Sequence, residues 1–548
     1  MSLKSSCASA LSRRAFLGGV AGAAITATAS PSKVRSLVPD VAGSTPNYWC
    51  TWGAQNYAVD RQTVLDAYNH SNIAAKLTEN AVFGENGWAR AFPQIHRDLY
   101  ILFDLGWDVP ATTRFDKARW QLGSQEVAVD KFPSCTGTPP ERLRKLNEIA
   151  KRAGWRGAGL WIAAQAYGDG RDGHMLTDPQ VVAFFRERLR WSHDAGIEYW
   201  KVDYGARGGA DFRSLVTKLA KAVAPGLRVE HARGTCPLND VRCLWEEHLA
   251  FHNTGGFAAW GDGSALNDSV RIASFSHVFR TYDVTAQLST ATTLDRAIQI
   301  LAAVSHSAEA TGIINCEDEP YIAAGLGLMM GIMRHPRCLT REEAGANYDP
   351  YNTRRRITEV TRAVRWQRLA PASAMNASAM LIDSQRLVDR WQFAKGDTWA
   401  DWVIGTTVVQ GAPARAARGL ALPAVKGDEL PFVIASRNPH GAVAVAALPR
   451  VDPQRGQYRP LADIALEVPA DTRWVGVFGH VRKLSLQGLR STKRVLAQDL
   501  AAEVAEDISV SVDRRGGTVT ISGEALERLC RLTVPDDLSE PGVVLEFI

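Results

Sequence analysis

The chain has 548 residues, 46% of them hydrophobic and 22% charged, with a formal net charge of +5 at pH 7. These proportions exclude wholesale disorder, and the length exceeds what one ordinary core fills, so two folded domains are expected. Most of the positive charge sits in residues 1–44, where Lys4, Arg13, Arg14, Lys33 and Arg35 oppose only Asp40, and the near-neutral remainder offers no electrostatic footprint for nucleic acid.

At the N-terminus, Ser12-Arg13-Arg14-Ala15-Phe16-Leu17-Gly18 precedes an apolar run of small residues through Ala29, then Ser30-Pro31-Ser32. That run is too short and too rich in Gly and Ala for a stable membrane anchor, and no other apolar run is long enough to span a bilayer. The pattern resembles a twin-arginine export signal, which implies a signal peptide and linker over residues 1–44, a folded part beginning near residue 45, and a periplasmic or extracellular destination. Of the 8 cysteines, Cys7 lies in this leader, and an odd number remains, so an exported form carries at least one free thiol. Cys236 and Cys243 are the nearest pair and are spaced to close a small loop, although spacing alone does not establish a disulfide.

From Tyr48 to about Asn315, short apolar strand candidates alternate with longer amphipathic stretches, the pattern of βα units around a parallel sheet. The expected strands are Tyr48–Trp52, Leu99–Asp104, Gly159–Ala163, Tyr199–Asp203, Arg228–His231, Val278–Tyr282 and Gly312–Asn315. Helices are expected over Pro139–Ala153, Asp178–Ala195 and Thr293–Ser305, the first opened by prolines suited to a first turn. A (β/α)8 TIM barrel over residues 45–387 needs an eighth strand, which has no clear signature within residues 330–390, where Arg354-Arg355-Arg356 reads as a solvated helix. Beyond Leu387 come short alternating runs, Pro431–Ser436, Ala442–Ala447, Arg473–Phe478 and Thr518–Ser522. They predict a C-terminal antiparallel β-sandwich over residues 388–548.

Side chains alternate faces along a strand, so Lys201 and Asp203 project to the same side, with Asp203 at the C-terminal tip. A neighbouring cation keeps such a carboxylate ionised, fit either for a strand-end salt bridge or for nucleophilic or electrostatic catalysis. Asp104, Glu230, Arg280 with Asp283, and Glu317-Asp318-Glu319 also fall where expected strands end, the active-site face of such a barrel.

These fragments resemble the α-galactosidase (melibiase) clan of glycoside hydrolases, families 27 and 36, over about residues 45–335. Trp49-Cys50-Thr51-Trp52 is similar to the clan's tryptophan-rich first strand, and Phe103-Asp104-Leu105-Gly106-Trp107 to its Asp-Asp-Gly-Trp motif. Gly157-Ala158-Gly159-Leu160-Trp161 is similar to its glycine-rich approach to Leu-Trp. Lys201-Val202-Asp203 occupies the place of the nucleophile motif. Arg280-Thr281-Tyr282-Asp283 resembles the segment with a sugar-binding arginine and the acid/base. Glu317-Asp318-Glu319, followed by Ala324-Gly325-Leu326-Gly327-Leu328, resembles the acidic turn and glycine run of the seventh strand.

The resemblance implies a retaining exo-glycosidase acting on a terminal α-galactoside-like sugar, either an α-D-galactoside or the related β-L-arabinopyranoside, with Asp203 as nucleophile and Asp283 as acid/base. It implies sugar contacts from Asp104, Lys201, Glu230, Arg280 and Asp318, and the tryptophans Trp49 and Trp107 are expected to line the pocket. Leu105 replaces the second aspartate of its motif, which predicts a sugar lacking a polar group there, unless Asp108 or an acid of residues 317–319 substitutes for it.

Glycosyl transfer to a sugar acceptor, as in raffinose-synthase-like relatives, and non-catalytic carbohydrate binding remain open alternatives. His248 and His252 lie four apart, but without a His-Glu-x-x-His order they read as structural; neither a metal nor a cofactor is expected. The expected partner is a glycan or oligosaccharide, and nothing in the sequence speaks to oligomeric state.

Overall fold

The computed structural model describes residues 33–58, 70–115, 118–232, 264–281, 288–333, 353–392, 405, 407–490, 492–533 and 539–548. Eight parallel strands form the first domain: β1 (Tyr48–Cys50), β2 (Tyr100–Phe103), β3 (Gly157–Ile162), β4 (Tyr199–Val202), β5 (Arg228–Ala232), β6 (Val278–Arg280), β7 (Ile313–Asn315) and β8 (Gly331–Ile332). Each pairs in parallel with the next from β1 to β7, and β8 pairs with β1 through Tyr48–Gly331 and Trp49–Ile332. A bridge between Asn315 and Met329 joins the two edges, so the sheet closes into a (β/α)8 barrel.

The eighth strand is only 2 residues long. It follows a short helix, Pro320–Leu326, that ends on Gly327 in the left-handed region at φ 66. At Gly331 a Cβ would lie 2.4 Å from Tyr48 Cζ, so glycine is what lets the Tyr48 ring enter the barrel interior at the seam. The helices between strands follow the sequence closely. Pro139–Arg152 and Asp178–Asp194 each carry a capping box and an N-terminal proline, and Ser289–Val304 starts four residues earlier than its apolar spacing suggests.

The charged segment near residue 354 belongs to a helix, Thr353–Trp366. The side chains of Arg354-Arg355-Arg356, read as solvated, lie outside those described, and from Glu359 onward the helix is buried. Burial is compensated by pairing: Arg362 makes a two-pronged contact with Asp499 at 2.7 and 3.0 Å, and Arg365 reaches Glu503 at 2.7 Å. This helix pins the barrel to the second domain.

Among the described residues the C-terminal domain is a β-rich unit of two packed sheets, nine- and five-stranded, with two two-stranded ribbons beside them. Most pairings are antiparallel, with parallel ones at Arg415–Arg418/Phe432–Arg437, Val443–Leu448/Trp474–Phe478 and Asp463–Glu467/Lys483–Gln487. Alternation along the larger sheet serves two cores. Val433, Val445 and Val477 face the smaller sheet's Leu484 and Ile521, whereas Ile434, Ala446 and Phe478 pack with the barrel. The sheet begins at Met380–Ile382, ahead of residue 388, because that strand pairs with Arg418 to Ala416. The segment expected to be a linker is also built in: Lys33–Val34 pairs with Glu506 and Ala505, and the Leu37 N–H donates to Gln498 Oε1 at 2.6 Å.

Candidate active site

Strand alternation decides which side chains enter the barrel. On β4, Tyr199 and Lys201 point inward and Trp200 outward, its indole N–H donating to Ser192 Oγ at 3.0 Å on the Asp178–Asp194 helix. On β1, Tyr48 and Cys50 point inward, and Trp49 packs outside against Trp155, the rings tilted with centroids 5.9 Å apart. The expectation that Trp49 lines the pocket is therefore corrected, because its indole lies on the opposite face of β1 from Tyr48 and Cys50. Trp107 is also corrected: it is wholly buried and donates to the Trp161 carbonyl at 2.8 Å. The tryptophan beside the predicted nucleophile is instead Trp161, whose Nε1–H reaches Asp203 Oδ2 at 3.3 Å.

Arg280, at the end of β6, organises the interior. Its guanidinium lies 3.0 Å from Asp203 Oδ1, 2.7 Å from Glu317 Oε2 and 3.5 Å from Glu230 Oε1. Glu230 is 0% exposed. It accepts from Tyr199 at 2.7 Å, Asn315 Nδ2 at 2.7 Å and Tyr48 at 3.1 Å. These bonds and Arg280 fix the Glu230 carboxylate in the barrel interior. Arg280 is equally enclosed and positions carboxylates.

A second cluster lies alongside. Lys201 Nζ is 2.8 Å from Asp104 Oδ2, which also accepts the Cys50 thiol at 2.9 Å, while Asp104 Oδ1 accepts the Leu105 N–H at 2.8 Å. The Leu105 side chain is buried in the core and its carbonyl accepts from Gln55 Nε2 at 3.0 Å. Asp108 turns away into its own loop, taking the Gln125 N–H at 2.9 Å, and burial pushes its carboxyl up to about 6. Asp318 adopts φ 57 and clamps the barrel seam, its N–H donating to the Gly331 carbonyl at 2.9 Å and its Oδ1 accepting the Met333 N–H at 3.0 Å. Glu319 accepts from Ser289 and Thr290 at 2.5 and 3.0 Å.

Asp203 differs from these acids. Its side chain is 18% exposed, against 5% for Asp104, 0% for Glu230 and 5% for Glu317. Burial works to raise its pKa, but Arg280, Lys201 and Arg213 together outweigh that and hold the carboxyl below its usual value. For Glu230 burial wins over Arg280 and Lys201, and its pKa is raised. Burial works to depress Lys201, but Asp104, Cys50 and Asp203 together outweigh it and keep the amine protonated. The arrangement keeps one carboxylate charged and reachable at the C-terminal tip of a barrel strand, backed by cations and an indole N–H.

Asp283, the predicted acid/base, lies outside the described residues, as do Tyr282, Cys236, Cys243, His248, His252 and the twin arginine. Among the described residues, Cys50, Cys135, Cys316 and Cys530 are free and buried, and no group of three or more His, Cys, Asp or Glu is placed to hold a metal. Sequence reasoning missed Trp161, Tyr48, Tyr199, Asn315 and the Arg280–Glu317 pair. The first was legible as the partner that β3 register sets opposite Lys201.

No family model and no curated protein matches the chain. Among solved structures, a family 27 β-L-arabinopyranosidase from Geobacillus stearothermophilus is 10% identical, with 92% of this chain and 96% of that one covered at TM-score 0.38. An Anoxybacillus α-amylase is 10% identical, covering 92% and 97% at 0.38, and one from Geobacillus thermoleovorans is 8% identical, covering 92% and 98% at 0.37. Likeness at this level assigns no activity.

Replacing Arg280 by Met leaves three acids facing one another in the barrel. Stability should fall by about 3–5 kcal/mol at neutral pH, as when one partner of a buried ion pair is removed. Because the native Asp203 carboxyl is held below its unfolded value of about 3.9, its contribution is complete above that value and is lost as pH falls through the lower native one. The deficit of the variant should therefore shrink on acidification, which denaturant titrations at several pH values will read. A deficit independent of pH would contradict the role given to Arg280.

Proposed function

We propose that the protein is an exported, retaining exo-glycosidase that removes a terminal α-galactoside-like sugar, an α-D-galactoside or β-L-arabinopyranoside, using Asp203 as nucleophile. The observation that carries this reading is the Asp203 site: a carboxylate held below its usual pKa by Arg280 and still open to the C-terminal face. The sugar class rests on the motif resemblance of Lys201-Val202-Asp203 and Arg280-Thr281-Tyr282-Asp283.

In this reading an Asp203 oxygen attacks the anomeric carbon while Asp283 gives its proton to the departing oxygen. Water, deprotonated by Asp283, then attacks the same carbon and frees the carboxylate. Arg280 and the Trp161 N–H hold Asp203 in its ionised form and fixed orientation, so no reorganisation is needed at the moment of attack.

A screen over nitrophenyl α-D-galactoside, β-L-arabinopyranoside, α-D-glucoside, α-N-acetylgalactosaminide and L-fucosides is expected to give turnover on one of the first two. Asp203→Asn should lower kcat by more than about 1,000-fold, with a cooperative melt retained. Asp283→Asn should be partly spared where the leaving group needs no protonation. Wild-type rates in Asp203→Asn would refute the assignment.

Export is read from Arg13 and Arg14. The double replacement Arg13→Lys with Arg14→Lys should leave the precursor in the cytoplasm, since a receptor reads this signal and charge alone does not substitute. Unchanged export, followed by cell fractionation, would mean the leader works by another route.

A further inference from the structure

Beside Asp203 the barrel rim carries two arginines laid on aromatic rings. The Arg119 guanidinium sits 5.0 Å from the ring centroid of Tyr204, the residue following Asp203, and that of Arg171 sits 3.9 Å from the ring centroid of Trp120. Tyr167 meets Trp120 edge-on at 6.4 Å. Tyr204 also stacks on His70, with ring centroids 6.3 Å apart and planes 7° from parallel, while Tyr167 is 40% exposed and presents an aromatic ring to solvent.

Both arginines are exposed, and neither has a carboxylate within ion-pair distance among the described residues. Their neighbour Arg207, by contrast, is taken up by Asp169 at 2.7 and 2.9 Å, which spends that acid. Asp172, next to Arg171 in the chain, forms no ion pair with it.

This wall is rigidly built. Gln165, 1% exposed, donates to the carbonyls of Arg119 and Leu122 at 2.8 and 3.3 Å and accepts the Ala206 N–H at 3.0 Å. It thereby ties together the segments that follow β2, β3 and β4. The Gly168 N–H reaches the Trp120 carbonyl at 3.0 Å, and the Ala164 N–H the Tyr204 carbonyl at 2.9 Å. These hydrogen bonds hold the segments that carry the aromatic rings, each ring holds a guanidinium, and both arginines are exposed.

A flat aromatic surface suits the apolar face of a sugar ring, and a stacked guanidinium with free N–H edges suits a carboxylate taken two-pronged. Resting on the glycosidase reading above, we propose that this wall is the leaving-group subsite and that the sugar it receives is a uronate: the enzyme releases a terminal neutral sugar from an acidic saccharide. The two arginines give this preference because a carboxylate gains charge-assisted contacts that a neutral sugar does not, at little ordering cost since each guanidinium is already laid on a ring.

The test compares kcat/KM for galactosyl-glucuronate and galactosyl-glucose of the same linkage, or the arabinopyranosyl pair if that is the sugar cleaved. Wild type should favour the uronate by at least about ten-fold, the yield of one charge-assisted contact. The ratio should shrink toward one on raising salt to about 0.5 M. In the double variant Arg119→Gln/Arg171→Gln it should collapse to within about two-fold, the neutral disaccharide serving as internal reference. A ratio near one in wild type, or one that survives in the double variant, overturns the inference while leaving the hydrolase reading intact if nitrophenyl glycosides are cleaved. Should no glycoside be cleaved, the hydrolase reading fails by itself. Calorimetric titration with methyl glucuronoside then decides the subsite, which requires binding to wild type and none to the double variant.

Discussion

One guanidinium inside the barrel sets the terms for everything around it. Arg280 is buried and meets Asp203, Glu230 and Glu317, which come from β4, β5 and β7 respectively. Charges taken out of water are tolerated only when paired and hydrogen-bonded, so this cluster is acceptable in one register of the strands and costly in any other. Glu230 receives the remaining help from Tyr48, Tyr199 and Asn315, which extends the constraint to the seam where β8 meets β1. The same contacts that close the barrel leave Asp203 charged at its mouth.

Support for that arrangement comes from outside the barrel as well. The helix Thr353–Trp366 spans the gap to the C-terminal sheets, and its Arg362 and Arg365 pair with Asp499 and Glu503 of the second domain. Phe478 of the larger sheet packs on Tyr321 with ring centroids 5.1 Å apart, on the helix that leads into β8. The second domain therefore braces the part of the barrel that has the least strand of its own. Such bracing supplies the rigidity that a preorganised carboxylate requires.

Seven barrel strands were legible as short apolar runs between helical patterns. The eighth was not, because two residues carry no periodicity and its pairing depends on Asn315, Asp318 and the missing side chain at Gly331, whose place the Tyr48 ring takes. Lys201 and Asp203 could be placed on one face because their own alternation decides it. For Tyr48-Trp49-Cys50 nothing comparable exists: strands of a parallel barrel are buried on both faces, so an indole is at home on either side. Glu230 illustrates a related limit, since an acid near a strand end reads the same whether it meets substrate or an arginine from the neighbouring strand. The burial of Arg362 and Arg365 later in the helix Thr353–Trp366 was not legible, because composition does not reveal that a second domain supplies their acids.

The central claim is that Asp203 carries the covalent chemistry. It is tested most directly by trapping: incubating the wild-type protein with a 2-deoxy-2-fluoro glycosyl fluoride of the sugar it cleaves, then mapping the adduct by peptide mass spectrometry. The account predicts a single glycosyl adduct on the peptide containing Asp203, attached at that side chain. An adduct on another carboxylate, or turnover of the reagent with none on Asp203, would contradict it.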